Sequence, residues 1–336
     1  MNARGAGMVW SRRVFSQAGL LALILGGVFL TLTVGQSITS PTTLWAVFIG
    51  QETEDAFPVL SLRLPRAVLA VLAGAAFGLG GAAFQTLLRN PLASPDIIGI
   101  SAGAGAAAVF CIVVLSMSGP VVSVVAIGAG LAVALLIYVL AWRGGVSGTR
   151  LILVGIGISA MLQSLTAHLL SRAPSWSLQE AMRWLSGSLN GAQLDQALPL
   201  LAVLAACGGA LVWHAPALEV MRIGDDVAGG LGIHLGRVRV STIVAGVGLV
   251  ATATAVAGPI AFVAFLSGPI ATRLVGRGGS VLGTATLIGA VLVLICDFAG
   301  QVLLPARYPV GVVTGLLGAP YLVLLVIREN TKGGGA

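Results

Sequence analysis

Charged side chains fall in clusters along this chain, and the stretches between them are almost wholly apolar. Uncharged windows run over 14–51, 67–88, 97–142, 151–171, 196–218, 240–272 and 308–327, and 278–306 is interrupted only by Asp297. A helix needs about 20 apolar residues to cross the hydrocarbon core, so each window predicts at least one span. The 97–142 window is long enough for two, with a break at Ser118-Gly119-Pro120. The 240–272 window breaks at Gly258-Pro259, so its second half is expected as a short or irregular span. Eight windows and two extra spans predict ten, an all-α polytopic membrane protein. Span 1 is placed near 16–35, and its length and the spans that follow argue against a cleavable leader. The expected division is a short segment at 1–15, a transmembrane domain at 16–328 and a tail at 329–336.

Composition agrees with that pattern. Of 336 residues, 57% are hydrophobic and 9% charged, with a mean hydropathy of +1.03. Soluble domains carry about 25% charged residues, so lipid must cover the outside. The 47 glycines suit close approach between membrane helices. The net charge of +7 needs no nucleic acid as partner, because basic loops mark the cytoplasmic side. With ten spans and both termini inside, 13 of the 18 basic residues lie inside. Arg63, Arg66, Arg172, Arg183 and Arg307 lie outside. A multi-pass plasma-membrane protein with both termini in the cytoplasm is expected.

Two polar segments exceed a tight turn. The outer one, 172–195, holds Trp176 and Trp184 and predicts a short interfacial helix. The inner one, 215–239, has short apolar runs punctuated by glycine and predicts small helices lying along the membrane. Residues 71–95 also echo 244–269, each a Gly/Ala-rich helix running into a proline-marked break. These are spans 2 and 7, and an odd offset makes an inverted repeat; Gly/Ala bias alone would give the same echo.

Catalytic patterns are missing. Cys111, Cys207 and Cys296 lie singly in apolar stretches and form no CxxC pair, and His168, His214 and His234 are far apart in sequence, so no metal site is expected. A phosphate-binding loop of the G-x-x-x-x-G-K-[ST] type needs a lysine, and the only lysine is Lys332 in the tail. The chain is therefore not expected to be an enzyme or to hold a cofactor. If ATP drives it, another chain binds the ATP.

The run Arg63-Leu64-Pro65-Arg66 followed by GAAFGLGGAAFQTLLRNPLASPDIIGISAGAG (74–105) resembles FecCD-type permeases, membrane subunits of binding-protein-dependent ABC importers for iron–siderophores, haem and vitamin B12. RLILVGIGISAM (150–161), WLSGSLNG (184–191), GDDVAGGLG (224–232), GPIAFVAF (258–265) and YPVGVVTGLLGAPYLVLL (308–325) continue the resemblance in order. WLSGSLNG and GDDVAGGLG lean towards ferric-enterobactin permease subunits, hence a ferric siderophore of catecholate type. One departure is that Leu266-Ser267-Gly268-Pro269 stands where many members carry a Pro-His pair, so no histidine role transfers.

The resemblance implies ten helices, a second permease subunit alike or homologous, two ATPase subunits, an extracytoplasmic substrate-binding protein and an iron–siderophore substrate. It places ATPase coupling on the inner segment, at Arg222, Gly224, Asp225, Asp226, Ala228, Leu231 and Gly232, against the alternative of a solvated loop. It places binding-protein docking on Arg63 and Arg66, joined by Arg307, against simple anchoring at the interface. It lines the translocation path with spans 5 and 10; in span 5 the candidates are Gly155, Gly157, Ser159, Gln163, Ser164, Thr166 and His168, with helix packing the alternative for each. Asp297, a carboxylate inside a span, reads as a structural hydrogen-bonding group in preference to a proton relay. The rival functions are haem or vitamin B12 transport in the same family, an ion-coupled secondary transporter and a membrane-embedded enzyme.

Overall fold

The computed structural model describes residues 3–35, 37–95, 99–142, 148–276 and 279–333. Arg143 and Arg277, counted on the inner side, and Asp96-Ile97-Ile98 of the longest quoted motif lie outside the described residues, as do the side chains of Arg4, Arg328 and Lys332.

Among the described residues, thirteen α-helices follow in order: α1 (Ala3–Thr33), α2 (Pro41–Phe48), α3 (Leu64–Leu88), α4 (Ile100–Val113), α5 (Pro120–Ala141), α6 (Gly148–Ser171), α7 (Ser175–Leu185), α8 (Ala197–Met221), α9 (Asp225–Gly230), α10 (Leu235–Ala257), α11 (Val263–Val275), α12 (Leu282–Phe298) and α13 (Val310–Gly333). Seven are long and apolar enough to cross a membrane, and shorter apolar helices stand at α4, α11 and α13. Together they occupy the ten expected positions. The breaks fall where Gly and Pro predict them: α5 opens on Pro120, and α10 ends at Gly258, whose φ of +70° most side chains avoid.

Helix α3 is the hub. It packs against α1, α8, α10, α11 and α12, and 83% of its apolar 18-residue stretch is buried. Small residues allow this. A Cβ on Gly74 would stand 2.3 Å from the Gly289 carbonyl oxygen of α12, and one on Gly81 would stand 1.9 Å from that of Ala264 in α11. The backbones touch, which is how helices associate where lipid removes the hydrophobic drive. By contrast, the corresponding stretches of α1, α6 and α8 are each only 17% buried, leaving apolar faces for lipid or another chain.

The echo between spans 2 and 7 has a structural counterpart. Each is a long buried helix followed by a break and a short helix, α3 then α4, α10 then α11. Packing repeats with it: α3 on α12 matches α10 on α5, and α3 on α11 matches α10 on α4. The pairs α4–α5, α4–α6 and α5–α6 are matched by α11–α12, α11–α13 and α12–α13. An inverted five-helix repeat accounts for this pairing, which compositional bias does not.

Contacts between distant segments also join ends expected on one side. Arg12 donates to the Arg273 carbonyl across the inner ends, and Ser188 N–H donates to Ala257 O at 2.7 Å across the outer ends.

Three boundaries differ from expectation. Helix α1 begins at Ala3 and α13 runs to Gly333, so the polar end segments continue their helices; charge ends a hydrophobic span but does not end a helix. Helix α2 is unanticipated inside the first window, although Ser40 caps it by accepting from Thr43 N–H and Pro41 opens it.

Candidate functional site

The inner segment is built on α9, held between α8 and α10. Gly224 precedes it in extended conformation, and Asp225 and Asp226 fill its first turn, where acidic groups favour the helix N-terminus. Asp225 accepts from two cations at once, Arg89 at the end of α3 and Arg239 near the start of α10. Asp226 is exposed. Arg222 pairs locally with Glu219 at 3.1 Å.

Ala228 was expected as a coupling contact and instead points inward. It is fully buried in the main core cluster and anchors α9 to the bundle. Leu231 is 67% exposed, and Val227, one turn earlier, and Ile223 before the helix are exposed with it. Sequence reading missed Ile223 and Val227, although the spacing of four residues was visible. Gly232 closes the segment at φ +80° with open space around it. A side chain there costs about 1–2 kcal/mol of backbone strain, so Gly232→Ala is expected to lower uptake by several-fold with normal insertion, measured as initial rate per membrane-inserted protein.

On the outer side the three arginines do not form one free cationic face. Arg63 donates to Leu32 O (2.9 Å), Thr39 Oγ1 (3.1 Å) and Ser37 O (2.8 Å), stitching down the connection from α1 to α2. Arg66 grips Asp297 of α12 with Nε and Nη2, at 2.6 and 2.8 Å, and donates Nη1 to Asn190 Oδ1 at 2.8 Å. Only Arg307 is exposed among the three. Asp297 is thus a structural hydrogen-bonding group, near the end of α12.

Both helices that carry this pair widen into π-helical turns beside it, Pro58–Arg63 before α3 and Ala299–Leu303 after α12. Pro65 has no N–H to offer Ser61, which explains the first. A cavity of about 330 Å³ opens nearby, lined among others by Pro120, Ser123, Glu180, Arg183, Asn190 and Gln193. Helix α7 forms one wall and is the expected Trp-bearing outer helix, with Trp176 exposed.

The span 5 candidates divide into two groups. Gly155 and Ser159 are buried, with Ser159 Oγ donating to Gly155 O at 2.7 Å; a Cβ on Gly99, before α4, would meet that hydroxyl at 2.7 Å. These two are packing residues, a correction to their expected place on the path. Gly157, Gln163, Ser164 and His168 are exposed on α6, and Thr166 is half-buried with its hydroxyl on Leu162 O. Leu316 and Leu317 extend a similar exposed face on α13. Among the described residues no group of three or more His, Cys, Asp or Glu could hold a metal ion, and the three cysteines are free.

Residues 22–328 match the FecCD transport family. The chain belongs to this family. It is 37% identical to the ferric enterobactin transport system permease protein FepG of Escherichia coli K12, over 96% of this chain and 98% of the relative. It is 33% identical to FepD of the same transport system and organism, covering 98% and 99%. Its fold matches a chain described as a metal-chelate type ABC transporter in an inward-facing conformation, with a TM-score of 0.81, 24% identity, and coverage of 94% and 99%. As a FecCD protein it is a multi-pass membrane transport protein and not an enzyme. The exposed apolar row on the inner segment and the exposed α6 and α13 faces then become the surfaces of interest.

Proposed function

We propose that this FecCD protein is the permease subunit of an ABC importer that carries an iron–siderophore complex into the cytoplasm. The observation that carries the reading is the exposed row of Ile223, Val227 and Leu231 on an inner segment pinned to the bundle, in a chain without a nucleotide-binding loop. A lever needs a surface for its motor and a rigid base, and this segment has both. Two copies of a partner ATPase bind the ATP, and a second permease subunit covers the exposed α6 and α13 faces. FepG and FepD are two permease proteins of one transport system, which favours a homologous second chain over an identical one. Similarity to both makes ferric catecholates the first substrates to test.

An extracytoplasmic binding protein docks on the outer loops, and Arg307 is its proposed cationic contact. Arg63 and Arg66 join only by exchanging internal partners. Arg307→Glu is expected to slow docking several-fold and more at low salt, as exposed charges do, read by surface plasmon resonance with the loaded binding protein; unchanged association would remove Arg307 from the contact.

The function is tested in proteoliposomes holding the permease pair and its ATPase, with loaded binding protein outside. ATP-dependent uptake of ferric enterobactin is the expected result. Uptake without ATP that collapses with an ionophore would establish the ion-coupled alternative, and preference for haem or vitamin B12 in competition would reassign the substrate.

A further inference from the structure

Helix α9 packs on its chain neighbours α8 and α10, and Asp225 also binds Arg239 of α10, but its second cation lies outside both. Asp225 reaches Arg89, which is remote in sequence and sits where α3 ends. There Asn90 N–H bonds to Gln85 O and Arg89 N–H to Thr86 O, the paired bonds of a Schellman ending. Arg89 itself occupies the left-handed position, φ +51°, which glycine fills most readily. A chain that needed only the turn would favour glycine here, so the position is held for the guanidinium.

One turn back, Gln85 carries the contact onward. It is a buried amide inside the bundle, and its Nε2 donates to Phe265 O of α11 at 2.9 Å. A Cβ on Gly268 would overlap Gln85 Oε1 at 1.8 Å, so the amide is clamped on both sides by α11. At the far end of α11, Arg273 Nη1 donates to Tyr321 Oη of α13 at 2.8 Å and lies over its ring at 5.2 Å.

We propose that these residues are a mechanical link: Asp225 and Arg89 register the position of the inner segment on α3, Gln85 passes it to α11, and Arg273 and Tyr321 pass it to the pathway helix α13. The proposal rests on the inner segment being the ATPase contact. Arg89, Asp225 and Arg239 keep 40%, 40% and 28% of their side chains exposed. Ion pairs that wet contribute little to folding, so their removal separates positioning from stability.

The test uses the reconstituted permease–ATPase complex with R89Q and Y321F. ATPase capture and ATP hydrolysis are expected to persist while uptake per ATP hydrolysed falls about three- to thirty-fold, the usual range for coupling residues. Combining R89Q with D225N is expected to cost no more than the larger single loss, because both break one contact, whereas independent structural defects would add. Spin labels at position 324 and at the facing position of the second permease subunit, in a cysteine-free background, should change separation on ATP binding in the parent protein and not in R89Q. Unchanged uptake per ATP in R89Q overturns the link. The contact itself is checked separately with L231D: if that variant still captures the ATPase, the reading on which the link rests fails instead.

Discussion

Asp297→Asn is expected to cost this protein most of its folded yield. The carboxylate is 3% exposed and receives two guanidinium donors of Arg66, itself 16% exposed. Asparagine keeps the shape and leaves Arg66 as a half-buried cation without its counter-ion. Breaking such a pair from one side costs up to about 3–5 kcal/mol. The pair joins α3 to α12, and through Asn190 to the loop after α7, so three outer segments loosen together. The check is the fraction of detergent-solubilised protein that runs as one sharp peak, with its melting temperature. The double variant R66M/D297L should regain the peak, because an apolar pair of similar volume often matches a buried ion pair. That variant also separates two roles for Arg66. If folded R66M/D297L takes up substrate, Arg66 is a structural cation only; if it folds and the binding protein no longer docks, Arg66 also serves the outer contact. A stable D297N protein would contradict the structural role.

What could be read from the chain depended on distance. Each span follows from its own window, and the breaks at 118–120 and 258–259 are announced by Gly and Pro within one turn of the observed helix ends. The sides are legible because loop charge is a local property. Helix α2 was hidden for a physical reason: locating spans by the absence of charge cannot see a helix that stops and restarts inside an apolar stretch. The partners of Arg63 and Arg66 were illegible because they lie 24 to 231 residues away; two arginines three apart at a helix start look like one cationic face until the fold gives each its own acceptors. Ala228 and Ser159 failed likewise. A short helix or an isolated span has faces, but its sequence does not say which face meets the bundle. The motif RNPLASP, carried only as part of a resemblance, becomes partly intelligible: Arg89 ends α3 and binds Asp225, and Asn90 Oδ1 caps Leu92 N–H at 2.9 Å in the turn that follows.

Replacing Ile223, Val227 and Leu231 together by Asp is expected to abolish uptake, more than one hundred-fold (about 2.7 kcal/mol or more of lost contact), while the permease still folds. All three side chains already face solvent, so the change exposes nothing new and removes no core contact. Ala228 stays buried, Asp225 keeps Arg89 and Arg239, and α9 keeps its base. The damage falls on a partner's cleft, which would have to bury three carboxylates without counter-ions, and desolvating even one is costly. Single substitutions should grade with exposure, Ile223 and Leu231 above Val227. Co-purification of the ATPase reads the contact directly, and the melting temperature of the isolated permease serves as control. Full capture of the ATPase by the triple variant would move the motor's contact away from α9. Loss of capture with an unchanged melting temperature would place it there, and would explain why so small a helix is tied by its first residue to the most buried helix of the bundle.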